Sequence, residues 1–98
     1  MILHILNSTS QKALNNLESV INHNDALILI EDAIYLPYFY TDLLKPFKEF
    51  SIYLLDSDAK ARGINQELNC DIFSFVLADY AQFVILCCQY DKTISWCK

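Results

Sequence analysis

Ala26-Leu-Ile-Leu-Ile30 is an unbroken apolar run, bounded by Asn22-His23-Asn24-Asp25 before it and Glu31-Asp32 after it. Five residues are too few for a helix of ordinary length, and the run lacks the alternation of a strand that wets one face. It reads as a strand buried on both sides. Such a strand needs cover above and below, which points to an α/β sheet whose parallel strands are joined by right-handed crossovers.

The flanking sequence agrees. Met1–Leu6 is a short apolar run, and Ser8 with Gln11 three residues on reads as a capping box ahead of Leu14, Leu17 and Ile21 at helical spacing. A second helix is expected from Ala33 to about Leu44, with Pro37 in its first turn and Lys45-Pro46 ending it. Ser51–Leu55 reads as a third strand, and Asp56-Ser57-Asp58 as the cap of a short helix, Ala59–Arg62, stopped by Gly63. Ile72–Val76 is the expected fourth strand. Asp79 caps a helix running to about Tyr90, with Tyr80, Phe83, Val84 and Cys87 toward the sheet. Lys92–Cys97 alternates as a last strand, Ile94 and Trp96 on one face. These elements predict a single three-layer α/β/α domain over residues 1–98 with a mostly parallel five-stranded sheet.

Leu, Ile, Val and Phe supply 34 of the 98 residues, well above the level at which chains stay disordered. The longest apolar run, Phe83–Cys88, has six residues, against roughly 20 needed to cross a bilayer. The opening residues show neither a basic region nor a small-residue cleavage site, so the expectation is a soluble, unexported, cytoplasmic protein. One glycine, Gly63, excludes the glycine-rich phosphate loops. Six lysines and one arginine are scattered among 12 carboxylates, for a net charge of −5. Nucleic-acid affinity draws on cationic neutralisation of phosphates, so direct nucleic-acid binding is not expected.

Cys70, Cys87, Cys88 and Cys97 show no CxxC spacing, so no zinc site or other cofactor is expected. Cys70, in the polar segment Asn65–Asp71, is the thiol candidate, although Glu67 and Asp71 would raise its pKa. Cys87 and Cys88 read as helix packing. The expected strand ends carry Asn7, Ser8 and Thr9, then Glu31 and Asp32, then Asp56, Ser57 and Asp58. Such carboxylates either form a receiver-like magnesium module or cap helices and finish strands. His4 reads as a buried, hydrogen-bonded histidine and His23 as a turn residue. The surplus of aromatics points to protein contact, with Tyr35, Tyr38, Phe39, Tyr80 and Trp96 as interface candidates.

Several stretches resemble the DsrH/TusB family of sulfur-relay subunits. Leu3-His4-Ile5-Leu6-Asn7-Ser8 is similar to the family's Leu-His-Thr start and following serine. Asp25–Tyr35 resembles its second strand and acidic segment, and Tyr53–Gly63 its strand, Asp-Leu and Ala-Arg-Gly element. Leu77-Ala-Asp79-Tyr80-Ala-Gln-Phe83-Val84 and Ser95-Trp96 echo its Asp-Tyr-x-x-Phe-Val and final tryptophan. The resemblance implies a DsrE-like fold and assembly with homologous TusC-like and TusD-like subunits in a hetero-hexamer. That complex relays persulfide sulfur toward 2-thiolation of the wobble uridine of tRNA, with the transferring cysteine on the TusD-like subunit. A related DsrEFH-like complex serves sulfur oxidation, where the chain would be a thiol or persulfide carrier. Some of those members carry a first-helix cysteine whose position is Val20 here, so the resemblance implies a subunit without catalytic activity of its own. When isolated, such a chain could form a homo-oligomer. Relatives tend to have glycine at the position of Ala33; if that position needs φ > 0, alanine is strained there or the turn differs.

Overall fold

A computed structural model of the chain describes residues 1–63 and 75–96. Cys70, Cys97 and the start of the expected fourth strand lie outside the described residues. The order is β1 (Ile2–Leu6), α1 (Gln11–Val20), β2 (Ala26–Leu29), a 3₁₀ turn (Glu31–Tyr35), α2 (Leu36–Phe39), a second 3₁₀ stretch (Thr41–Phe47), β3 (Ser51–Leu55), α3 (Asp56–Ala61), β4 (Phe75–Ala78), α4 (Tyr80–Gln89) and β5 (Lys92–Trp96).

The sheet is five-stranded and parallel at every pairing, in the order β4-β3-β2-β1-β5. The central strand β2 is buried at all four residues, as its unbroken apolar sequence requires. On one face Leu6, Leu27, Leu29, Ile52 and Leu54 pack with Leu14 and Leu17 of α1 and with Ile34, Leu36, Leu44, Phe47 and Ala59. On the other, Leu3, Ala26, Ile28 and Tyr53 meet Phe83, Leu86, Cys87 and Tyr90 of the α4 region. The three layers follow from the crossovers. β1 to β4 advance in one direction, whereas β4 to β5 leaps back past three strands and carries α4 over the opposite face.

Local boundaries differ from expectation for identifiable reasons. Helix α1 begins at Gln11, so the cap is Ser10, whose Oγ accepts from Ala13 N–H at 3.4 Å. Ser8 is buried and its Oγ accepts from Ser10 N–H. The expected second helix is broken into short pieces. Pro37 lies in the first turn of α2, as expected, but Tyr40 leaves helical geometry (φ −135°, ψ 42°) and Pro46 falls inside the second 3₁₀ stretch rather than ending a helix. The left-handed residue after β2 is Glu31 (φ 51°), not Ala33, which sits buried in the 3₁₀ turn without positive φ. Helix α3 starts at Asp56, so Asp56 and Asp58 lie in its first turn, where carboxylates suit the helix dipole, instead of capping it. On α4 the sheet-facing line is Phe83, Leu86 and Cys87. Val84 is turned about 100° away from Phe83, and both it and Tyr80 are exposed.

Gly63 ends α3 at φ +70°, its N–H donating to Lys60 O at 3.0 Å. A Cβ there would meet nothing within 4 Å, so Gly63→Ala tests backbone strain alone. The variant should lose about 1 kcal/mol in urea unfolding, with the native circular dichroism unchanged.

Candidate functional site

Because all five strands are parallel, their carboxyl ends lie along one edge of the sheet, where open α/β folds place ligands. Thr9 after β1 and Asp32, Tyr35, Phe39 and Tyr40 after β2 line a depression of about 390 Å³ there. The Tyr35 and Phe39 rings lie 6.0 Å apart, and Phe39 is 65% exposed. Nearby carboxylates are engaged separately. Asp32 pairs with Arg62 at 3.2 Å, Asp56 with Lys60 at 2.9 Å, and Asp58 accepts from Glu31 N–H at 2.7 Å. That last bond holds the left-handed turn in place. Among the described residues, no group of three or more His, Cys, Asp or Glu could hold a metal ion.

Tyr38 is half-buried against the core on the α1 side of the sheet, and burial, then the Asp56 charge, pushes its phenol pKa up. Cys87 is half-buried against the sheet on α4. Burial, with neighbouring Cys88 second, raises its thiol pKa, the opposite of what a nucleophilic thiolate requires. Cys88 is exposed.

The flank formed by β4 and α4 is a second surface. Val76 (51%), Leu77 (54%), Tyr80 (66%), Val84 (49%) and Ile85 (53%) are all exposed. Tyr53, Val76, Leu77, Gln82 and Ile85 border a groove of about 180 Å³. Its origin is geometric. Five strands span about 19 Å between outer axes, whereas one helix is about 10–12 Å wide. Among the described residues only α4 packs on that face, and none of them covers the β4 side. Of the interface candidates, Tyr80 lies on this flank, its ring edge-on to Phe83 at 6.2 Å. Tyr35 and Phe39 belong to the carboxyl-edge depression.

Trp96 stands apart from both surfaces. Its indole Nε1–H donates to His4 Nδ1 at 3.0 Å, and His4 Nε2 lies 2.9 Å from Asp25 Oδ2. His4 is fully buried, as its place in an apolar strand suggests. Asp25 also accepts from Ile2 N–H at 2.9 Å and Asn22 N–H at 3.0 Å. Burial works to raise the Asp25 pKa, but the hydrogen bonds from Asn22, His4 and Ile2 outweigh it and hold the carboxyl below its usual range. Asp25 is not among the residues that the sequence singles out as site candidates. The available signal was its place directly before a strand buried on both faces, where a polar side chain must find partners.

Among the described residues, no helix is long and apolar enough to cross a membrane. A family model described as DsrH like protein matches residues 7–93 of the chain. No curated protein matches it.

Proposed function

The chain belongs to the DsrH-like family, a family of sulfur-relay subunits, and on that premise we propose that it is a non-catalytic, cytoplasmic member of a TusBCD-like complex supporting 2-thiolation of the wobble uridine of tRNA. The observation that carries this reading is the open apolar flank of β4 and α4. Five large apolar side chains exposed beside a sheet edge that no other described residue covers are suited to bind another protein. The occupants we propose are the homologous TusC-like and TusD-like subunits of a hetero-hexamer. Tyr80 on the flank and Tyr35, Tyr38, Phe39 and Trp96 elsewhere are the aromatic residues proposed to meet them.

Two further features support an accessory role. The thiol of Cys87 is turned toward the sheet and disfavoured as a thiolate by burial. The net charge of −5 favours leaving tRNA contact to other subunits.

The test is Cys70→Ser combined with Cys88→Ser in the native host. Wobble-uridine 2-thiolation, read by mass spectrometry of digested tRNA, should stay within about twofold of the parent. A collapse of thiolation with the complex still intact would instead make this chain a sulfur carrier.

A further inference from the structure

The buried chain of hydrogen bonds from Asp25 through His4 to Trp96 has a property that follows from donor and acceptor chemistry alone. An indole N–H can only donate, so the atom it meets, His4 Nδ1, must be without hydrogen. The imidazole is therefore neutral, and its single proton sits on Nε2, where it is donated to Asp25 Oδ2. The network has no room for a second proton. An imidazolium carries N–H on both nitrogens, and the Nδ1–H would face the indole N–H head to head at the present 3.0 Å.

Of the partners, Trp96 is the least firmly held, although its ring packs against the main core cluster. His4 is in β1, paired on one side to β2 and on the other to β5, with its side chain fully buried. Asp25 is anchored by two backbone N–H groups and would attract the imidazolium. Trp96 is the last residue of β5, which lies at the sheet edge, and its ring is only partly buried.

We propose that His4 and Trp96 form a proton-operated latch on the edge strand. Solvent supplies a proton to the Nδ1 lone pair, the indole N–H···N bond breaks, the imidazolium stays paired with Asp25, and the indole swings out to solvent. Histidine is the side chain suited to such a switch in mildly acidic conditions. Among the described residues, the other groups around it keep their state. The core-facing residues of α1 on this side, Ala13, Leu14 and Leu17, are apolar, as is Ile94 of β5. Asp25 is already ionised. The Tyr90 phenol after α4 is pushed up by burial, then by Tyr53 and Asp25, and stays neutral. Asp91 is exposed and paired with the Met1 ammonium at 2.8 Å.

The chain has a single tryptophan, so its fluorescence reports the latch directly. Acrylamide quenching of the purified full-length protein is measured from about pH 8 to about pH 5, with circular dichroism alongside. The expected result is a reversible rise in Trp96 accessibility of about threefold and a red-shifted emission, while the secondary structure persists. His4→Asn keeps an acceptor near the Nδ1 position and does not titrate, so this rise should be absent. Flat accessibility until global unfolding, or the same rise in His4→Asn, overturns the latch. If that variant does not fold, the indole N–H resonance of the unmodified protein decides. It must move together with the titrating His4 ring signals, and an indole resonance that stays fixed while His4 titrates overturns the proposal.

Discussion

Replacing Asp25 with alanine should cost about 3–5 kcal/mol of unfolding free energy, the largest single-residue effect expected outside the apolar core. The substitution strands three donors together, namely His4 Nε2–H, Ile2 N–H and Asn22 N–H, the first of them fully buried. Domains of this size hold about 5–15 kcal/mol, so the variant should be marginal at ambient temperature. The Asp25→Asn variant keeps one acceptor oxygen and should lose less. The sign of the pH dependence follows from the lowered carboxyl pKa. The unfolded chain protonates Asp25 first, so its contribution is fully present above the ordinary carboxylate range, near pH 4, and is lost as pH falls through the lower folded value. Urea unfolding at neutral pH and at about pH 3 checks both statements. The Asp25→Asn variant should show a shallower loss of stability on acidification than the parent.

The second large effect concerns assembly. Ile85→Asp puts a carboxylate on the open flank at a residue already 53% exposed. The isolated domain should keep its stability within about 0.5 kcal/mol, whereas burying that charge against a partner should weaken binding by about 30-fold or more, equivalent to about 2 kcal/mol. Co-purification with partner subunits, alongside thermal unfolding of the chain alone, separates the two. Tyr38 and Trp96 are less clean probes of the same question, because Tyr38 packs on the core and Trp96 is bonded to His4. Their loss should disturb fold and assembly together. An Ile85→Asp chain that still co-purifies in full yield would remove this flank from the interface.

Four of the strands were legible in the sequence because each is a local apolar pattern, whereas β4 runs to Ala78, two residues past the end expected at Val76. Ser51–Leu55 coincides with β3, Ala26–Ile30 overruns β2 by one residue, and Lys92–Trp96 shows the expected pairing of Ile94 and Trp96 on one face. The Asp79 cap was legible for the same reason: Asp79 and Gln82 exchange their hydrogen bonds at 2.7 and 2.9 Å within four residues. The segment after β2 was not legible, since two prolines and a cluster of aromatics leave helix and 3₁₀ geometry close in energy and packing against α1 and α3 decides. Glu31 in the left-handed region is a similar case, held by Asp58 from 27 residues away. The least accessible feature was the link from Asp25 to Trp96. It joins residues 71 positions apart through a histidine that the sequence identifies only as buried, and it exists because β5 returns to lie beside β1.

A structural subunit working among homologous partners must be found with them, and the native mass of the tagged protein, purified gently from its own cells, shows whether it is. A hetero-hexamer containing two other small subunits, one with a cysteine that takes up persulfide, is the predicted result. A monomer or homodimer with no such companions, even at low salt, would contradict it.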